Sequence, residues 1–146
     1  MKKYIEENNF EKTRKQIKEN PNTKIIFSSN DDELNRKVLE KLNIDTLLLK
    51  QSTRKDFQKQ RNSGLNHVLA KIAKKKNIEI GIDLDEVINS DKYKKEQILS
   101  RIQQNIKLCN KNKLRMKFYT KNNKNLYDLK ALGLVLGMNT SITKTL

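Results

Sequence analysis

The chain has 146 residues, with 32 Lys and Arg against 17 Asp and Glu and a formal net charge of +15. No apolar run approaches the ~18 residues of a membrane-spanning helix, the single Cys109 excludes an internal disulfide, and no cluster of Cys and His offers a zinc site. The hydrophobic share of 35% falls in periodic clusters, so the expectation is one cytoplasmic domain with a thin core and a polyanionic partner, nucleic acid before membrane.

In chain order, Met1-Lys2-Lys3 begins like a signal n-region, but Tyr4-Ile5-Glu6-Glu7-Asn8-Asn9 supplies no apolar stretch to follow it. Tyr4, Ile5, Phe10 and Ile17 are spaced as a weak helix over residues 1–22, closed by Asn20-Pro21. Lys24-Ile25-Ile26-Phe27 reads as a buried strand. Asn30 or Asp31 then caps a helix carrying Leu34, Val38, Leu39 and Leu42. Asp45–Leu49 is a second strand, and the loop Gln51–Asn62 leads to a helix with Leu65, Val68, Leu69 and Ile72. Ile78–Ile82 is a third strand, and a long helix from about Lys92 to Asn110 aligns Ile98, Leu99, Ile102, Ile106 and Cys109. Leu114–Tyr119 alternates apolar and basic residues as a strand with one covered face. A last helix with Leu126, Leu129, Leu132 and Leu136 ends near Gly137.

Strands alternating with helices predict an α/β fold of parallel βα units over residues 23–146, with about four strands and right-handed crossovers. Two architectures fit: an open doubly wound sheet, or part of a βα barrel. A full barrel needs at least ~200 residues, so a barrel here is a truncated one. In both cases the functional loops lie at the C-terminal strand ends: Ser28–Asp31, Lys50–Gly64, Asp83–Asp91 and Thr120–Asn125.

The stretch Arg61–Lys71 holds the only histidine, His67. A catalytic metal centre takes several ligands, and Asp83 and Asp85 are its only evident companions, so no catalytic or metal-binding residue is expected. His67 is assigned to the structure of the loop, which it orients by hydrogen bonds. Asn62 or Ser63 is expected to cap the helix and Gly64 to allow a tight turn. Backbone N–H groups at such a helix start attract phosphate, and Arg61 stands just ahead of them. The basic residues form three groups: Lys50, Arg54, Lys55, Lys59 and Arg61; Lys71, Lys74, Lys75 and Lys76; and Arg101, Lys107, Lys111, Lys113, Arg115 and Lys117. Lys121 follows on the next loop. Taken singly each group is a solvated face; taken together they suit the phosphates of folded RNA. Aromatic residues are 5% of the chain, too few for reading single strands by stacking, although Phe57, Tyr119 and Tyr127 each have a face to offer.

From Arg61 to Met138 the chain resembles archaeal ribonuclease P protein component 3. The resemblance rests on Ser63-Gly64-Leu65-Asn66-His67-Val68-Leu69-Ala70-Lys71, on the strand Ile78–Leu84 and on Leu108-Cys109-Asn110-Lys111. It closes with Asp128-Leu129-Lys130-Ala131-Leu132-Gly133-Leu134-Val135-Leu136-Gly137-Met138. It implies a truncated TIM-barrel-like fold related to the PHP superfamily of metal-dependent phosphoesterases, with residues 1–22 as a helix in place of the family's early βα units. It also implies a protein subunit of a ribonucleoprotein endonuclease that removes the 5′ leader from precursor tRNA. The RNA carries out catalysis and binds the magnesium, and the protein holds no cofactor of its own. The implied partners are the RNase P RNA, precursor tRNA and protein component 2. The alternatives are a general RNA-binding or ribosome-associated α/β protein and, further off, a PHP-type phosphoesterase. The residues assigned to RNA are Arg54, Lys55, Lys59, Arg61, Lys74, Lys75, Lys76, Arg101, Lys113, Arg115, Lys117 and Lys121.

Overall fold

Strands covered on both faces are apolar nearly throughout, and three segments of this chain meet that description. In the computed structural model, which describes residues 1–146, they are β2 (Lys24–Ser28), β3 (Thr46–Leu49) and β4 (Glu79–Asp83). They are flanked by β1 (Lys2–Glu6) and β5 (Met116–Tyr119). The helices are α1 (Phe10–Glu19), α2 (Asp32–Lys41), α3 (His67–Lys75), α4 (Leu84–Asn89), α5 (Lys92–Asn112), α6 (Leu126–Leu136) and α7 (Thr140–Thr143). Asn9, Asp31, Asn66, Asp91 and Asn125 each cap a helix by accepting a first-turn N–H.

All neighbouring strands are parallel, and their order in space is their order in the chain, β1-β2-β3-β4-β5. A doubly wound sheet reverses direction at a switch point and does not keep chain order. Right-handed crossovers that always advance the same way put the helices on one side of the sheet. This is the winding of a βα barrel, and it decides between the two architectures left open by the sequence. β1 and β5 remain edges, each with a single neighbour.

Side-chain alternation then separates two environments. Ile25 and Phe27, Leu47 and Leu49, Ile80 and Ile82, and Met116 point toward the helices. There they join Val38, Leu39, Ala70, Ile98, Ile102, Ile106 and Cys109 in one core. Burial pushes the Cys109 thiol up to about 12, as expected of a packing cysteine. Ile26, Leu48 and Tyr119 face the other, concave side. A Cβ on Gly81 would lie 3.0 Å from both Leu48 Cδ1 and Tyr119 Cε2, so the glycine is what lets Tyr119 cross that face. The Tyr119 hydroxyl donates to Glu79 Oε1 (2.9 Å), which also accepts from Thr46 Oγ1 (3.1 Å).

The N-terminal expectation is corrected. Residues 1–22 form a strand and a helix, not a single helix, and the sheet has five strands instead of four. Only Ile5 of β1 is buried, because an edge strand carries lysines where an inner strand carries apolar side chains. Tyr4, Ile5, Phe10 and Ile17 imitate a helical period while lying on two elements. The loop expected over Asp83–Asp91 also contains α4, which Asp83 caps through Asp85 N (3.1 Å).

Candidate nucleic-acid interface

Between β3 and α3 the chain runs for seventeen residues without regular structure, and a segment of that length keeps one shape only if its polar groups are satisfied. Here α2, α4 and α5 reach in to satisfy them. Glu86 accepts from Gln51 N (2.8 Å), Ser52 N (3.2 Å) and Ser52 Oγ (2.8 Å). The buried carbonyl of Ser63 accepts from Gln51 Nε2 (3.0 Å) and from Asn105 Nδ2 (3.0 Å) on α5. Gln104 Nε2 donates to Arg61 O (3.1 Å) and Ser63 Oγ (3.0 Å).

Two arginines hold the loop from within. Arg54 forks onto Asp32 at 2.7 and 2.9 Å and donates to Lys50 O (2.7 Å), with its side chain 7% exposed. Gly64 covers that guanidinium at φ +80°, where a Cβ would come within 2.4 Å of Nη2, so Gly64 answers both a left-handed backbone and a close approach. Arg101, 2% exposed, donates Nε to Asp56 Oδ1 (2.9 Å) and Nη1 to Gln51 O (2.9 Å). The other oxygen of Asp56 accepts from Arg61 Nη1 (3.1 Å). The Arg101 hydrogen bond is the main cause that holds the Asp56 carboxyl below the usual carboxylate range, helped by Asn62 N and by Arg61. Asp56 thus couples a buried arginine to an exposed one.

These contacts revise the set of residues assigned to RNA. Arg54 and Arg101 are internal fasteners, buried and hydrogen-bonded to the protein. Lys76 is a third: its ammonium donates to Leu39 O (2.7 Å) and Leu42 O (2.8 Å), closing the C-terminal end of α2, and burial lowers its pKa. Lys55, Lys59 and Arg61 are exposed on the loop, Lys74 and Lys75 on α3, and Lys113, Arg115 and Lys121 beyond it. Lys117 is half-buried and, by alternation with Met116 and Phe118, lies on the concave side. Asn62 N donates to Asp56 Oδ1 (3.1 Å), and Ser63 is buried. They do not cap α3, whose cap is Asn66 through Leu69 N (2.9 Å). His67 is also reassigned. It is the exposed first residue of α3 and its side chain makes no hydrogen bond, so it does not orient the loop.

His67 instead lines an open groove of about 640 Å³ between α2, the loop, the start of α3 and α5. Arg36, Arg61, Lys107 and Lys111 supply its cations, while Asp32, one of its two carboxylates, is neutralised by Arg54. On α3, His67, Lys71 and Lys74 recur at i, i+4 and i+7 and so share one side over about 10 Å. On α5, Lys107 and Lys111 recur at i and i+4, and Lys74 Nζ donates to Lys113 O (3.0 Å) at the far end. The result is a basic track along the packed pair α3 and α5, from Arg61 to Lys113. Phe57, 57% exposed, stands at its upper rim.

The match to known proteins covers nearly all of this architecture. A family model described as RNase P subunit p30 matches residues 5–146. The chain belongs to the RNase P subunit p30 family. Among its curated relatives, a ribonuclease P protein component 3 of Methanococcus maripaludis is 27% identical over 122 residues, covering 84% of this chain and 50% of that protein. A component 3 of Methanococcus vannielii is 30% identical over 87 residues, covering 60% of this chain and 35% of that protein. A chain in the cryo-EM structure of archaeal ribonuclease P with mature tRNA superposes with a TM-score of 0.81 at 26% identity, over 97% of this chain and 63% of that one. The p30-family chain described here therefore spans half the length or less of these curated relatives.

A second concavity of about 500 Å³ lies at the mouth of the concave sheet face of this p30 domain, among Glu6, Ser28, Lys50, Asp83, Asp85, Tyr119 and Lys121. Lys50 pairs with Glu6 (3.0 Å), and Asp85 accepts from Thr120 Oγ1 (2.6 Å) and Lys121 N (2.9 Å), which lower its pKa. Burial, aided by Glu86, raises that of Asp83. His67 is on the other groove, and no three His, Cys, Asp or Glu side chains gather as a metal centre requires.

Proposed function

We propose that the chain is a protein subunit of ribonuclease P that supports RNA-catalysed removal of the 5′ leader from precursor tRNA. The observation that carries this reading is the basic track: cations at helical spacing on two packed helices, beside a loop fastened rigidly by buried arginines. Spacing of this kind presents positive charge along a line, as a phosphodiester backbone presents negative charge, and it carries no base-reading pattern. Arg61, His67, Lys71, Lys74, Lys107 and Lys111 contact the backbone of the RNase P RNA. Lys55, Lys59 and Lys75 border the same path, and Lys113, Arg115, Lys117 and Lys121 meet further phosphates of the RNA or of precursor tRNA. The protein lowers phosphate repulsion, so the RNA folds and binds its magnesium at a lower concentration of the ion. Protein component 2 completes the assembly.

Reconstitution tests the reading. Adding the chain and component 2 to the RNase P RNA is expected to restore cleavage of precursor tRNA at magnesium concentrations where the RNA alone is inactive. Cleavage that is indifferent to the chain across the magnesium range refutes it. So does an unrelated RNA co-purifying with the chain in place of the RNase P RNA.

A further inference from the structure

Phe57 lies outside both apolar clusters, and its ring enters none of the protein's aromatic or cation–π contacts. A single exposed aromatic side chain needs no explanation by itself; what marks this one is its setting. Asp56, directly before it, accepts from buried Arg101, from Arg61 and from Asn62 N. The backbone under Phe57 is thereby held in place without help from the ring, whose face is presented to solvent instead of packed. Beside it the groove has an apolar floor of Leu65, Leu69 and Leu108. Its cations are unevenly placed. Arg61, Lys107 and Lys111 stand on the side of the loop and α5, whereas the α2 side carries Asp32, Glu33 and an Arg36 already paired with Glu40 at 2.8 Å.

We infer that the groove receives an unpaired nucleotide of a folded RNA, its base stacked on Phe57 and its flanking phosphates on Arg61, Lys107 and Lys111. The inference rests on the proposed ribonuclease P reading and adds which feature of the RNA this site selects. Two observations favour a single strand over a duplex. Cations on one wall suit one backbone, and a double helix laid in the groove would press its second backbone against the carboxylates of α2. A duplex also keeps its bases stacked on each other, so Phe57 would gain nothing from it, whereas an unpaired base has a free face. An aromatic face beside phosphate-binding cations is the combination that holds single-stranded nucleotides, and the groove's 640 Å³ is the size of a small-ligand site. Stacking accepts any base, so the site tells unpaired from paired nucleotides without reading sequence. The fastened loop presents the ring already in position, which lowers the ordering cost of binding.

The test uses the full chain and two RNA hairpins of equal charge, one with a single unpaired nucleotide in its stem and one in which that nucleotide lacks its base. The wild type is expected to bind the base-bearing hairpin about fivefold or more tighter than the abasic one. Phe57→Ala is expected to erase that difference with its melting temperature and the slope of log affinity against log salt unchanged, and Phe57→Tyr, which keeps the ring, to retain it. Lys107→Ala is expected to weaken both hairpins alike and to reduce the salt slope by about 0.7–0.9. Equal wild-type affinity for the two hairpins overturns the inference, as does a Phe57→Ala variant that keeps the preference. The functional reading fails on a different result: a protein that prefers the unpaired base yet leaves RNase P RNA cleavage unchanged keeps the nucleotide site and loses the ribonuclease P assignment.

Discussion

Replacing Arg101 by Met preserves most of the volume of a side chain that is 2% exposed and removes its hydrogen bonds to Asp56 and Gln51 O, each 2.9 Å. The charge-assisted bond to the buried Gln51 carbonyl is worth about 1.5–3 kcal/mol. The lower end applies, since Arg54 N still donates to that oxygen at 3.3 Å. The Asp56 side chain is 25% exposed, so water takes over part of the lost pairing, and that half contributes at most about 1 kcal/mol. Relief of the guanidinium's own desolvation offsets a share. The net expectation is about 1–3 kcal/mol of destabilisation, or roughly 3–10 °C in melting temperature. RNA binding weakens because the loop that carries Arg61 loosens, yet the slope of log affinity against log salt is unchanged, since no phosphate contact is lost. Had Arg101 met phosphate directly, the slope would shrink by about 0.7–0.9. Thermal unfolding and a salt titration of RNase P RNA binding on the same preparation separate the two. An unchanged melting temperature with a slope smaller by one phosphate refutes the reasoning.

Gly64→Ala adds a Cβ at φ +80° and at 2.4 Å from the Arg54 guanidinium, and is expected to cost about 1–3 kcal/mol in chemical denaturation; a variant as stable as the wild type contradicts the fastening role of Arg54. The combined change Lys107→Ala and Lys111→Ala is expected to leave stability intact and reduce the salt slope by about 1.4–1.8, two phosphates' worth. His67→Ala is expected to leave the melting temperature unchanged, because the exposed imidazole bonds to nothing, and a clear loss of stability would restore the structural role first assigned to it. Asp83→Asn keeps the cap on α4 and removes a carboxylate whose pKa burial raises above 3.8. Folding disfavours the charged form, so the variant is expected to be more stable than the wild type at neutral pH. The difference shrinks as pH falls through the raised folded value and vanishes below the unfolded value of 3.8, where the carboxyl is neutral in both states, and a destabilised variant at pH 7 argues against the desolvated charge.

The apolar runs of β2, β3 and β4 were legible because strands covered on both faces tolerate little else. The cap of α2 was legible to within one residue, Asn30 or Asp31, and the end of α6 near Gly137 likewise, because helix ends impose their own chemistry. β1 was not, since its position at the edge asks for one apolar side chain, Ile5, and permits lysines elsewhere. The loop after β3 was located correctly, but which of its basic residues face water depends on partners far away in the chain. Arg54 finds Asp32 and Arg101 finds Asp56, and neither separation has a local signature. One signal did exist: Arg101 and Asn105 interrupt the apolar stripe of α5 at i and i+4, among Ile98, Ile102 and Ile106. Polar residues placed on a buried stripe indicate internal hydrogen bonds, here from Asn105 Nδ2 to Ser63 O and from Arg101 to Asp56 and Gln51 O, and the same rule removes Arg101 from the surface.

The concave face shows how five strands with barrel winding fill their inner side. In a closed barrel, inward side chains from opposite strands fill the centre. Here Tyr4 and Tyr119, from the two edge strands, meet across the opening with centroids 6.2 Å apart and planes at 89°. Edge-to-face rings at that distance attract as well as fill space. Below them Glu79 is buried, yet it accepts from Tyr119 and Thr46 and has Lys24 Nζ at 3.8 Å, so its charge is answered within the sheet. Burial in turn holds the Tyr119 phenol well above its ordinary pKa, so it stays a donor. Large side chains leaning inward over Gly81 thus fill part of the concave face.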